Sequence, residues 1–134
     1  MDLKLELVAI PVSDVDRAKR FYGEQLGFTV DHDTKVSEDM HFVQLTPPGS
    51  ACSIAVGTGI VQTPPGSVQG LQLVVSDIEA ARTELVERGV KVSQIRHFDN
   101  GMWVDGRGGE WNSFVFFEGP DGNGWILQES PGSG

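Results

Sequence analysis

The chain has 134 residues, 39% of them hydrophobic and 22% charged, with a formal net charge of −9. That is the length of one domain, able to bury roughly two-thirds of its unfolded surface, and the composition excludes a disordered chain. The acidity argues against nucleic acid as a partner, since phosphate contacts need a basic face, and the apolar runs are too short to span a bilayer as helices.

The opening stretch "MDLKLELVAIPV" alternates apolar and polar residues, so it predicts a strand rather than a signal segment. A helix follows over about Val15 to Gln25. Ser13 is the expected N-cap, with Asp16 as the acidic member of a capping box. Val15, Ala18, Phe21, Tyr22 and Leu26 form its apolar stripe, and Gly27 ends it. Strand signals come next in "GFTVDHD", "MHFVQLTP" and "ACSIAVG". The Gly- and Pro-rich stretch "GTGIVQTPPGSVQG", 57 to 70, reads as a connection.

The pattern then repeats. Val12-Ser13-Asp14-Val15-Asp16 corresponds to Val75-Ser76-Asp77-Ile78-Glu79, an offset of 63 (76 − 13). Gly27-Phe28-Thr29-Val30 corresponds to Gly89-Val90-Lys91-Val92 at offset 62 (89 − 27), so the second copy has lost one residue in its helix or turn. Ser76 is the expected second N-cap, with Glu79 closing its box and Ile78, Ala81, Leu85 and Val86 as the stripe. The strands of this copy are "VKVSQIRHF", "NSFVFFEG" and "GWILQES", with the turn Pro120-Asp121-Gly122-Asn123 before the last. The tail "SPGSG" reads as loose.

The V-S-D-[VI]-[DE]-x-A starts, "FYGEQLGF" and "PDGNGW", together with the doubled strand-helix-three-strand order, resemble the vicinal oxygen chelate superfamily. It includes glyoxalase I, extradiol dioxygenases, fosfomycin resistance enzymes and bleomycin-binding proteins. The resemblance spans about residues 3 to 130. It implies an α+β fold: two βαβββ modules, 3–58 and 69–130, joined by a linker at 59–68. Their curved mixed sheets enclose a cavity and carry the helices outside.

In metal-dependent members of that superfamily, ligands come from the first and last strands of each module. Aligned on the V-S-D starts, the ligand positions fall on Leu7, Gly70 and Ile126. None of these side chains offers an electron pair, whereas zinc and iron sites need three or four N, O or S donors. The expectation is therefore no metal and no cofactor. His32, His41 and His97 match no ligand position.

Period-two alternation assigns faces. With Leu7 inward, Leu5, Ala9, Gln72, Val74, Ile126 and Gln128 share its side, while Val8, Ile10, Leu71, Leu73, Trp125 and Leu127 pack beneath the helices. Which face of residues 40–45 turns inward is left open: Met40, Phe42 and Gln44 share one side, His41, Val43 and Leu45 the other. His41 is a candidate general base. The segment 97–117, with Trp103, Trp111 and closely spaced glycines, reads as a lid or wall for a planar ligand. Arg107 reads as a solvated arginine, with pairing to an anionic group as the alternative, Glu129 as a surface carboxylate, and Cys52 as a small buried thiol, since no His or Asn motif flanks it.

The expected function is a glyoxalase/bleomycin-resistance-like protein that holds a small hydrophobic or aromatic molecule in a metal-free cavity between the modules. Leu7, Phe42, Gln72, Trp103, Trp111, Phe114 and Ile126 are the candidate ligand contacts. The alternative is an enzyme of the same superfamily (lyase, isomerase or dioxygenase-like) with a displaced metal site or metal-free acid/base chemistry. One cysteine makes a cytoplasmic home the simplest reading; the resemblance implies a homodimer, as is common for superfamily members of this length, and open edges of curved sheets agree with it.

Overall fold

A computed structural model describes residues 1–131. The chain divides into two compact units. The first holds Met1–Val68 and Gly119–Asn123; the second holds Gln69–Glu118 and the chain from Gly124 onward.

The first unit runs β1 (Leu7–Pro11), α1 (Val15–Arg20), β2 (Thr29–Ser37), β3 (Met40–Thr46) and β4 (Ser53–Thr58). Its sheet order is β1-β4-β3-β2, with β1 parallel to β4 and the other neighbours antiparallel. Ile10, Val43, Leu45, Ile54 and Val56 are buried on one face, together with Val15, Ala18, Phe21 and Tyr22 of the helical segment. Leu3 and Leu5, read as the start of the first strand, lie before β1 and are exposed.

The second unit runs β5 (Leu71–Val75), α2 (Ile78–Glu87), β6 (Arg96–Asp99), β7 (Met102–Asp105), β8 (Phe114–Glu118) and β9 (Gly124–Glu129), in sheet order β5-β9-β8-β6-β7. β7 lies within the segment 97–117 expected to form a lid or wall, and gives that segment a strand. Asp99 pairs with Met102 around Asn100-Gly101, both at positive φ (51° and 81°), so this is a two-residue type I′ hairpin. The expected continuous strand over 90–98 is interrupted. Val92 and Ser93 pair with Phe117 and Phe116, and regular pairing resumes only at Arg96 with Phe114. Between those pairings Gln94 and Ile95 stand opposite Val115 alone, which is a bulge.

α1 begins at Val15 as expected, but in both helices the capping residue lies one position later than Ser13 and Ser76. The N-caps are Asp14 and Asp77, whose carboxylates accept from Arg17 N and Ala80 N, each at 3.0 Å. N3 is thus Arg17 or Ala80, and Asp16 and Glu79 fall one position short of a capping box. The single-residue difference between the copies is absorbed at the helix end. α2 closes with a Schellman motif, Val90 N to Leu85 O and Gly89 N to Val86 O. In the first copy the extra residue widens the last turn into a π-helical one, Phe21–Gln25, with Leu26 N donating to Phe21 O and Phe28 N to Tyr22 O. Of the α2 stripe, Ile78 is fully buried, whereas Val86 is exposed.

The turn Gly119–Asn123 joins β8 to β9 yet belongs to the first unit. Asp121 accepts from Ser13 N (3.1 Å) and Ser13 Oγ, and lies 3.4 Å from Arg17. Asn123, buried to 1%, donates through Nδ2 to Pro11 O (3.1 Å) and accepts at Oδ1 from Val68 N (3.0 Å). Ser13 therefore works as a partner of this turn rather than as the helix cap. Ser130, read as loose tail, donates its N–H to Val75 O at 2.9 Å; residues 132–134 of that tail lie outside the described residues.

Candidate functional site

The register of the second sheet separates two faces. Val115, Phe117, Trp125 and Leu127 are buried on the side that packs against α2. Gln72, Ile126, Gln128, Phe114 and Phe116 alternate with them and stand on the opposite side. Gln72 and Val74 are exposed there, and the other four are half-buried. The sheet thus has one apolar face sealed by a helix and one mixed face left open.

The β6–β7 hairpin adds to the open face. Phe98 pairs with Trp103, and Arg96 pairs with Phe114 and Asp105. The Trp103 ring lies 5.2 Å from Phe98, 5.3 Å from Phe114 and 5.1 Å from Phe116, edge-on in each case. Trp103 and Phe98 nevertheless keep 48% and 49% of their surface exposed. Four aromatic rings so arranged form a preset wall with apolar area to spare. Phe98 was not singled out from the sequence. The Asn100-Gly101 dipeptide carried the signal, since a two-residue turn there puts Phe98 opposite Trp103.

A polar strip runs beside the rings. Gln72 donates to Gln128 Oε1 at 2.5 Å, and Gln128 Nε2 donates to the Trp111 carbonyl at 2.8 Å. The two amides satisfy one another and leave further donor and acceptor capacity on each. Arg96 and Asp105 face each other at 3.5 Å.

Trp111 is separate from this wall. It adopts a left-handed backbone (φ 60°), is half exposed, and lines a cleft of about 380 Å³ with Ser76, Arg107, Glu129 and Ser130. Arg107 is not a free surface arginine but pairs with Glu129. Glu129 in turn accepts from Ile78 N at 2.9 Å, so it secures the first turn of α2 instead of standing free on the surface.

In the first unit, Val43 and Leu45 are fully buried on the helix side, which places Met40, Phe42 and Gln44 on the other face together with Leu7 and Ala9. His41 alternates with Phe42 and so lies on the helix side. Its Nε2 donates to Asp33 at 2.7 Å, and Lys19 of α1 donates to the same carboxylate at 2.8 Å. Those two hydrogen bonds, Lys19 first, hold the Asp33 carboxyl below its ordinary value, and the bond to Asp33 raises the Lys19 ammonium. His41 is therefore tied into a surface ion-pair network away from Phe42, which removes the basis for a general base beside an apolar cavity. Cys52 is half-buried and directs its thiol to Ser53 O.

The positions implied for a metal, Leu7, Gly70 and Ile126, carry no side-chain N, O or S donor. Ile126 sits directly opposite Gln72, Leu7 opposite Ser53, and Gly70 precedes β5. The nearest polar groups on the open face of the second sheet are the paired amides of Gln72 and Gln128. Among the described residues, no three of His, Cys, Asp and Glu come together in a way that could hold a metal. These positions do not fit the metal that the superfamily resemblance implies.

No helix among the described residues is long and apolar enough to cross a membrane. Solved structures resemble the chain over nearly all its length. An antibiotic binding protein, TnmS3 from Streptomyces sp. CB03234, is 32% identical with a TM-score of 0.77, over 96% of this chain and 97% of that one. A glyoxalase/bleomycin resistance protein from the same organism is 32% identical, TM-score 0.73, over 93% and 99%. A superfamily member from Sphaerobacter thermophilus DSM 20745 is 29% identical, TM-score 0.76, over 96% and 98%. Among curated proteins none matches. The family model described as Glyoxalase/Bleomycin resistance protein/Dioxygenase superfamily matches residues 4–127, and with the doubled module, the two mixed sheets and these likenesses in view, the chain belongs to that superfamily.

Proposed function

We propose that the protein binds a small hydrophobic or aromatic molecule, without a metal, against the open face of the second sheet. The observation that carries the reading is the Trp103–Phe98–Phe114–Phe116 wall, two of whose rings keep about half their surface available beside the Gln72–Gln128 strip. Rings give apolar contact, and amides fix the orientation of a polar edge. Ile126 supplies an aliphatic floor where a chelating side chain would have competed for water. Leu7 and Phe42 stand on the corresponding face of the first unit's own sheet, away from its helix, and Trp111 supplies the indole of the neighbouring cleft. The description of TnmS3 as an antibiotic binding protein supports a small molecule as the ligand. The reading includes a homodimer, because Leu3, Leu5 and Met102 leave 69% or more of their surface exposed and a second copy would cover them.

The test is a titration of metal-free protein with polycyclic aromatic antibiotics and saturated apolar molecules of matched size, read by tryptophan fluorescence and calorimetry. Saturable quenching by aromatic members is expected, weakened about tenfold by Trp103→Leu. Absence of any saturable binder, binding only after a divalent metal is added, or turnover abolished by chelation would each overturn the reading.

A further inference from the structure

The β6–β7 hairpin is thinly attached to the rest of its sheet. β6 pairs with β8 at one register position, Arg96 with Phe114, whereas β8 pairs with β9 along its whole length. Beyond Arg96 the next residue to need a partner is Phe98, and there β8 has not yet begun. The missing ladder is supplied by a side chain. Phe98 N donates to Asn112 Oδ1 at 2.9 Å, and Asn112 Nδ2 donates to Phe98 O at 2.9 Å. One carboxamide offers an acceptor and a donor at the spacing of a peptide group, and so continues the sheet by one residue.

The residues around Asn112 hold that amide in place. Asn112 N donates to Gly109 O at 3.1 Å, and Gly108 N donates to the Oγ of Ser113, itself 1% exposed. A Cβ on Gly108 would collide with the Asn112 carbonyl and come within 2.7 Å of the His97 Cβ. Trp111, at φ 60°, turns the chain so that Asn112 faces Phe98 rather than continuing β8. Strain of this kind persists only where the surroundings enforce it.

We propose that Asn112 is a positioning residue: its carboxamide docks the β6–β7 hairpin onto β8 and thereby sets the Trp103 ring against Phe114 and Phe116, so that the aromatic wall exists before ligand arrives. The ligand-binding role of that wall rests on the function proposed above; the docking does not. Removing two hydrogen bonds to a preset wall predicts about a tenfold loss of affinity.

The experiment compares wild type, Asn112→Ala and Asn112→Asp without ligand, by hydrogen exchange of the Phe98 amide and by tryptophan emission. It then repeats the aromatic titration. In Asn112→Ala, Phe98 is expected to exchange at least about tenfold faster, with Trp103 emission shifted to the red, while amides of the β8–β9 ladder keep their protection. Asn112→Asp gives a discriminating readout. Its carboxylate still accepts from Phe98 N but cannot donate to Phe98 O, and protonation restores the donor. Slow exchange and native emission should therefore return as pH falls through the carboxyl's titration, measured against wild type because His97, Arg107 and Glu110 stand close by in the chain. Unchanged Phe98 exchange and Trp103 emission in Asn112→Ala, or no pH-dependent recovery in Asn112→Asp, would sink the proposal. Altered exchange with no aromatic binder for wild type would sink the function and leave the docking standing.

Discussion

Asn123→Ala is the substitution that most directly probes how the "PDGNGW" stretch acts. Asn123 is 1% exposed and bridges two chain segments far apart in sequence, accepting from Val68 N and donating to Pro11 O. Alanine removes both bonds and provides no group to replace them. A net hydrogen bond contributes about 1 kcal/mol, and a buried main-chain group left without its partner costs about 1–3 kcal/mol. Two such losses, partly relieved by water entering the space, sum to roughly 3 kcal/mol. For a chain of this length the entropy of unfolding is about 0.28 kcal/mol/K, so the midpoint should fall by about 10 °C. Thermal unfolding followed by circular dichroism measures it directly. Asn123→Asp sharpens the test, because it keeps the acceptor for Val68 but sets a carboxylate against the Pro11 carbonyl. It should be at least as damaging at neutral pH and less so in acid. A midpoint for Asn123→Ala within about 2 °C of wild type would refute the bridging role.

Two further outcomes are expected. The Asp33 carboxyl is depressed in the folded state by Lys19 and His41. Its contribution is therefore present above the unfolded carboxyl's pKa and lost as pH falls through the lower folded value. The stability gap between wild type and Asp33→Asn should be small, as for exposed pairs generally, and should close below about pH 4; a gap that widens in acid contradicts the ion-pair geometry. The protein should sediment as a dimer, and Leu5→Glu, which puts a charge on a side chain 71% exposed in the single chain, should shift it toward monomer. A wild-type monomer at high concentration removes the homodimer from the proposal.

Several site features could be read directly from residues. The alternation in "GWILQES" put Ile126 and Gln128 opposite Trp125 and Leu127, and the pairing of β9 with β5 and β8 has that arrangement. The chemistry of Leu7, Gly70 and Ile126 needed no coordinates, because a side chain without a lone pair stays without one in any fold. Trp103 was legible as an aromatic group in an unusual segment, but its ring partners were not. Ring contacts depend on the register of β6, which a bulge at Gln94 and Ile95 resets. The capping residue was misjudged because Ser13 and Asp14 are both good caps locally. Ser13 is instead held by Asp121, 108 residues away, and local propensity has no knowledge of that contact.

Near neighbours along the chain carry the doubled module, the stripe of the first helix, the alternation of the last strand, the helix-ending glycines, and three side chains at Leu7, Gly70 and Ile126 that lack metal donors. Roles that depend on partners distant along the chain emerge only once it has folded. Alternation over 40–45 established that His41 and Phe42 point opposite ways, but α1 packing on Val43 and Leu45 chose which of them faces the helix. Likewise, the composition of Asn112 is that of any loop residue, and only the early departure of β6 from β8 makes its amide a substitute strand. The physical reason is the same in both cases. Periodicity is a property of the local backbone, whereas a side chain's role is set by the groups that meet it once the chain has closed.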